Sequence, residues 1–266
     1  DVFAGSAEYS LTHSWERDYG VFHVLENGPL SPDLRDSVYL KLLIQQQTPG
    51  ESPETYPGSP CWAMAVLGRS AEYLLCDADP DSVESIRRAA KTRDLPEATT
   101  RCVLGDGIET IQKAFSQLPD RSLSNLFVLI DPYDPFAKAP NGPHAADIFF
   151  RIASKGVRAM LWYGWDTPET HKRVWTSLGE SFRSQNPEGS GSYWCGEIVL
   201  AETANLDASL NPGCNGCGIL CGNLSDAAIQ ACVKLGHELE TIYRDAKLPG
   251  NRSGAINFSV LQPWSS

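Results

Sequence analysis

Short apolar runs alternate with amphipathic stretches along most of the chain. Tyr73, Leu74, Leu75 and Cys76 form an apolar run that ends in Asp77. From 81 to 92 the spacing is helical, with Val83, Ile86 and Ala90 on one face and Arg87, Arg88 and Lys91 on the other. Residues 100–104 read as a strand, the turn Gly105-Asp106-Gly107 follows, and 108–118 read as a helix. A buried strand is predicted over 125–130, emptying at once into Asp131 and Pro132. Helices over 147–154 and 168–178 flank an apolar strand over 157–163. Strand–helix alternation at this spacing predicts a parallel sheet covered on both faces.

The C-terminal part has a different texture. Residues 185–193 are polar and Gly/Ser-rich, as in a loop or hairpin tip, and 195–202 read as a strand. Residues 210–223 hold four glycines and three cysteines, which predicts a Gly-kinked strand or a loop. A helix is predicted over 227–243 with Ser225 or Asp226 as its N-cap, and a last strand over 256–261.

At 266 residues the chain is long enough to bury a full core as one large domain. No apolar run reaches the ~18 residues of a membrane span. The balance of 22 basic against 33 acidic residues, a net charge of -11, repels nucleic acid unless a basic groove forms locally. Eight cysteines are too few for a disulfide scaffold of this length. No basic n-region precedes an apolar run at the start, so the expected location is cytoplasmic. The chain opens on Asp1 and not on a methionine, so further residues are expected upstream of it.

Four features fall where an open α/β sheet places its ligand, at the carboxyl ends of strands. Gly5 follows the segment Asp1-Val2-Phe3-Ala4 and lets the backbone pass close to a ligand; any tight turn also uses such a glycine. Asp77 ends a strand, where an acid accepts hydrogen bonds from ribose hydroxyls; the alternative is a helix N-cap, a role open equally to Asp79 or Asp81. Asp106 and Gly107 present a carboxylate and a backbone N–H to a ring, or simply turn the chain. Asp131, Pro132, Tyr133 and Phe136 combine an acceptor for an amine, a fixed backbone and rings that stack on a planar group.

The order of these features is that of the S-adenosylmethionine (SAM) site and then the target-amine site of class I methyltransferases. Tyr56-Pro57-Gly58-Ser59-Pro60, Leu74-Leu75-Cys76-Asp77-Ala78-Asp79-Pro80, Gly105-Asp106-Gly107 and Val128-Leu129-Ile130-Asp131-Pro132 resemble the RlmJ family. Those bacterial enzymes methylate the exocyclic nitrogen of an adenine in large-subunit ribosomal RNA. Leu161-Trp162-Tyr163 resembles the family's following strand, and Gly216-Cys217-Gly218-Ile219-Leu220 its Gly-Ser-Gly strand before the last helix.

The resemblance implies a Rossmann-like class I methyltransferase fold, mostly parallel, as one domain over 1–266 with a helical or loop insert at about 11–55. It implies SAM as cofactor and RNA as partner. Phe3 stands where the family has a histidine near SAM, and Gly5, Ser59, Asp77, Asp106, Gly107 and Asp131 correspond to cofactor contacts. Asp131, Pro132 and Tyr133 correspond to the catalytic motif. That motif reads Asp-Pro-Pro-Tyr in the family and Asp131-Pro132-Tyr133-Asp134 here, so the aromatic sits one place early. A small-molecule methyltransferase and a catalytically silent SAM- or RNA-binding homologue are the alternative functions. Arg87, Arg88, Lys91, Lys172 and Arg173 are the candidates for a basic patch.

Cys214, Cys217 and Cys221 have C-x2-C-x3-C spacing, with Cys232 and His237 downstream. That is half of a zinc knuckle without its second pair, and the expectation is no metal, the cysteines packing as small apolar residues. Trp162, Tyr163 and Trp165 either wall a substrate pocket or belong to the core. His171 and His237 are expected on the solvated surface, and His144 in a turn.

Overall fold

The computed structural model describes residues 1–45, 53–137, 142–201 and 215–264. In chain order the elements are β1 (Glu8–Ser10), α1 (Trp15–Arg17), α2 (His23–Asn27), α3 (Pro32–Asp36), α4 (Val38–Gln45), β2 (Thr55–Pro57) and α5 (Ser59–Leu67). Then follow β3 (Tyr73–Asp77), α6 (Pro80–Thr92), β4 (Thr100–Leu104), α7 (Gly107–Gln117), β5 (Phe127–Ile130), α8 (Ala145–Ala153), β6 (Arg158–Trp165) and α9 (Pro168–Gln185). The last are β7 (Tyr193–Leu200), β8 (Gly216–Gly222), α10 (Asp226–Ile242), β9 (Lys247–Leu248), β10 (Arg252–Ser253) and β11 (Ile256–Leu261).

The protein is a mixed α/β structure. Its largest sheet has the order β11-β7-β8-β6-β5. Among the described strands only β5 and β6 pair in parallel there; β6–β8, β8–β7 and β7–β11 are antiparallel. The mostly parallel sheet expected from the strand–helix alternation is therefore not what this sheet shows. The reason lies in the C-terminal strands. β5, β6 and β7 share one direction, and the reversed strands β8 and β11 each border β7. Strand direction depends on where a connection returns, which a local apolar pattern does not encode.

β3 and β4 form a separate parallel pair. The extended segment at the start of the chain joins it to the large sheet. The Asp1 N–H donates to the Leu74 carbonyl and the Asp1 carbonyl accepts from the Cys76 N–H, the pattern of a parallel neighbour. On the other side the Val2 N–H donates to the Leu129 carbonyl of β5 at 3.0 Å.

Helices cover both faces. Ile130, Leu161, Tyr163, Cys195 and Leu220 point to one side, against Ile148, Phe149 and Phe150 of α8 and Leu178 of α9. Ile198 and Leu200 point to the other, where they meet Leu40 of α4, Leu34 of α3 and Tyr243 after α10. A third cluster packs Cys61 and Met64 of α5 and Ile86, Ala89 and Ala90 of α6 under Leu75. Residues 11–45, within the expected insert, are mainly helical and lie between the paired strands β1 and β2.

The glycine-rich stretch forms a regular strand where it is described. The Tyr163 ring lies over Gly218 and the Trp165 ring over Gly216, so close that an added Cβ would stand 2.4 Å from either ring. The missing side chains of β8 are thus the room its neighbours' rings occupy.

Candidate functional site

A cavity of about 530 Å³ opens at the carboxyl ends of β3 and β5. It is lined by Phe3, Ala4, Gly5, Tyr9, Tyr56, Pro57, Gly58, Ser59, Trp62, Asp77 and Asp131. Five residues singled out from the sequence, Phe3, Gly5, Ser59, Asp77 and Asp131, meet there. They come from three separate stretches of chain plus the N-terminus of α5.

Two glycines shape the floor. Gly5 has φ +62°, a left-handed conformation that glycine tolerates, and an added Cβ would collide with the Tyr9 hydroxyl. Gly58 lies against the Ser6 carbonyl so closely that a Cβ there would stand 2.0 Å away, while its N–H donates to the Ala7 carbonyl at 2.7 Å. The loops before β1 and after β2 therefore touch backbone to backbone. The Ser59 hydroxyl donates to Asp1 Oδ2 at 2.6 Å, which ties the start of α5 to the first segment.

Asp77 is half-buried. Its Oδ2 accepts from the Gly5 N–H at 2.7 Å and its Oδ1 from the Asp79 N–H at 2.8 Å. Asp79, not Asp77, is the N-cap of α6, accepting from the Asp81 and Ser82 N–H groups. Each Asp77 oxygen retains a lone pair for a ligand hydroxyl.

Asp131 is different. Among the described residues no hydrogen bond reaches its carboxylate. The side chain is exposed at the mouth, yet its partial desolvation by the cavity walls raises its pKa from the ordinary carboxylate value. Pro132 behind it is buried, and Tyr133 is fully exposed at 100%. Phe136 packs at the edge of the main core, its ring 6.3 Å from that of His144 at the N-cap of α8.

Asp106 and Gly107 do not line this cavity. Asp106 caps α7, accepting from the Ile108 and Glu109 N–H groups. Gly107 gives close passage to the Val2 carbonyl. A second cavity, of about 400 Å³, lies between α7 and α8 among Ile111, Phe115, Ile148 and Ile152, and holds none of the candidate residues.

Tyr9, Tyr56 and Trp62 are the lining residues the sequence did not single out as rings. Tyr56 and Trp62 meet edge to face with centroids 6.2 Å apart, and Tyr39 backs them, 5.1 Å from Trp62. The Tyr39 and Tyr56 hydroxyls are 3.2 Å apart. Tyr56 was marked only by its place in the Tyr-Pro-Gly-Ser-Pro motif.

The remaining candidates separate cleanly. Tyr163 and Trp165 are core, and Trp162 is half-buried on the opposite face of β6. His171 is not simply solvated surface, since its Nε2 lies 2.9 Å from Glu197 Oε1. His237 is exposed beside Glu240. Cys217 and Cys221 stand four residues apart on β8, about 13 Å along a strand and beyond the reach of one ion. Cys214 lies outside the described residues. Since β3 and β4 run parallel, α6 leads away from the cavity and carries Arg87, Arg88 and Lys91 with it. Lys172 and Arg173, early in α9, follow the carboxyl end of β6 and lie at the cavity's end of the sheet.

Comparison with solved structures finds the crystal structure of protein LPL1258 from Legionella pneumophila str. Philadelphia 1, family-model DUF519. The TM-score is 0.65 at 17% sequence identity, covering 98% of this chain and 86% of that one. At that identity the likeness concerns the fold alone. No protein-family model and no curated protein matches the chain. No described helix is long and apolar enough to cross a membrane.

Proposed function

We propose that this chain is a SAM-dependent methyltransferase of Rossmann-like class I type, acting on the N6 amino group of adenine in ribosomal RNA. One observation carries the reading: Phe3, Gly5, Ser59, Asp77 and Asp131, from four stretches of the sequence, line one cavity at the ends of two strands. The run β4-β3-segment 1–4-β5-β6, joined by backbone hydrogen bonds, supports the fold assignment. A ligand crevice at strand carboxyl ends is where open α/β sheets bind nucleotides. In this reading the protein works in the cytoplasm, on RNA reached through Lys172 and Arg173.

The bound donor supplies an electrophilic methyl on a sulfonium. Asp77 has free lone pairs for ribose hydroxyls. The Asp131 carboxylate and the Pro132 carbonyl accept the two N–H bonds of the amine, which draws its lone pair out of conjugation with the ring. Tyr133, fully exposed, is free to swing onto the base. Most of the rate then comes from aligning nitrogen and methyl.

The acid-lined mouth favours a second reading, transfer to a small amine. One experiment separates them: labelled methyl transfer from SAM to RNA lacking the modification, across a salt series, beside a panel of small amines. Transfer to RNA that weakens with salt supports the first reading. Transfer confined to small amines replaces it, and transfer to neither removes both.

A further inference from the structure

The cavity between α7 and α8, about 400 Å³ in volume, shares no lining residue with the one at the strand ends, and its chemistry is different. Its walls are apolar. Ile111 and Phe115 stand one turn apart on α7, and Ile148 and Ile152 one turn apart on α8. Two cations stand on the same groove, Arg151 of α8 and Lys155 just past its end. Arg151 is half-buried and oriented: its Nε and Nη2 donate to Gln185 Oε1 at the end of α9, at 3.2 and 2.9 Å. Gln185 is neutral, so the contact fixes the guanidinium without cancelling its charge. Lys155 is exposed and adds a second positive charge on a flexible stem.

We infer that the α7–α8 groove binds an aliphatic carboxylate, its chain between Ile111, Phe115, Ile148 and Ile152 and its head on Arg151 and Lys155. A mostly apolar cleft with a few placed polar groups is the usual build of a small-molecule site, and the volume falls within the range of such sites. The apolar walls favour each methylene that leaves water. The cations favour a negative head, and the planar guanidinium fork matches a carboxylate in shape. The Gln185 contact uses two of the five Arg151 N–H groups, which leaves three from that contact for the head. A ligand that is apolar along its length and anionic at one end meets both parts of the groove. The inference is independent of the methyltransferase reading.

The test is calorimetry on the full chain with hexanoate, octanoate and decanoate, each beside its 1-alkanol, at concentrations where none self-associates. Each added methylene should tighten binding about three- to fourfold. Each carboxylate should bind about tenfold tighter than its alcohol. Arg151→Gln should cut that head-group preference at least about threefold and leave the chain-length series intact. Lys155→Gln gives the same readout if Arg151→Gln, which also loses the Gln185 contact, fails to fold. Gln112→Trp, which places a ring in the groove, should abolish binding of the whole series, and Ser116→Trp serves if that variant fails to fold. No saturable binding of any of the three acids overturns the inference. So does an alcohol that binds as tightly as its acid, a series that ignores chain length, or octanoate binding that survives the tryptophan. A dimer of the native chain that Gln112→Trp disperses would give the groove to a second copy and overturn it too.

Discussion

The Asp77 carboxylate accepts the Gly5 amide at 2.7 Å, tying the end of β3 to the turn that floors the cavity. The bond holds a left-handed glycine in place, with φ at +62°. Hydrogen bonds to a charged acceptor are worth ~1.5–3 kcal/mol. Asp77→Ala should therefore cost both stability, by ~1–3 kcal/mol in urea denaturation, and donor affinity. Asp77→Asn, which keeps an acceptor for only one of the two amides it serves, should recover part of the stability. Equal losses in the two variants would show that the amide contact contributes nothing.

Asp131 has the opposite profile. With no partner to lose and its side chain at the mouth, Asp131→Asn should change stability by less than ~0.5 kcal/mol. Methyl transfer should fall about a hundredfold or more, because the charged acceptor needed in the transition state becomes a neutral amide. A variant that unfolds easily, or that keeps its rate, contradicts this role.

The raised pKa of Asp131 also gives a pH signature. Its folded value lies above its unfolded one, so in the window between them the native state binds more protons than the unfolded chain. Stability from this group is present at acid pH and is lost as pH rises through the folded value. Transfer runs the other way, since the ionised carboxylate is the stronger acceptor for its amine N–H. Rate should rise with pH over the window in which this part of the stability declines, and Asp131→Asn should flatten both trends.

The sequence showed elements whose cause is local and hid those whose cause is distant. Strand 256–261 and the Ser225 cap of α10 are visible because alternation and capping act within a few residues. β8 was ambiguous because its reason for being glycine-rich is the rings of Tyr163 and Trp165 on another strand. The antiparallel pairings were invisible for the same kind of reason. At the site, residues that punctuate strand ends, Gly5, Asp77 and Asp131, could be read from their positions. Tyr9 and Trp62 could not, because nothing in an isolated aromatic says which wall it will form. The buried role of Glu197 had no signal at all, being an acid inside an apolar run.

Gly218 and Gly216 offer a sharp packing test. An alanine at either would place a methyl 2.4 Å from a neighbouring ring, within a sheet held from both sides. Gly218→Ala should cost ~1–3 kcal/mol through overpacking. Gly218→Ala combined with Tyr163→Leu, which vacates the space, should cost less than the sum of the two single changes. Strict additivity in denaturant melts would mean that the ring does not lie on that glycine.

Glu197 is only 5% exposed, yet two side chains serve the same oxygen. The Tyr163 hydroxyl donates to Oε1 at 2.6 Å, and His171 Nε2 lies 2.9 Å from it. His171 is itself partly open to solvent, so the network runs from the surface to the core. A buried carboxylate with its donors in place is tolerated, whereas one stripped of a donor carries its full desolvation cost. Tyr163→Phe keeps the ring over Gly218 and removes only the donor, so it should cost ~1–3 kcal/mol. Replacing Glu197 as well removes the group that needed the donor. The double variant Tyr163→Phe with Glu197→Met should then be more stable than the sum of the single changes by ~0.5–3 kcal/mol. A double-mutant cycle by urea denaturation reads this coupling directly, and a coupling of zero would show that the Tyr163 hydroxyl does not hold the acid.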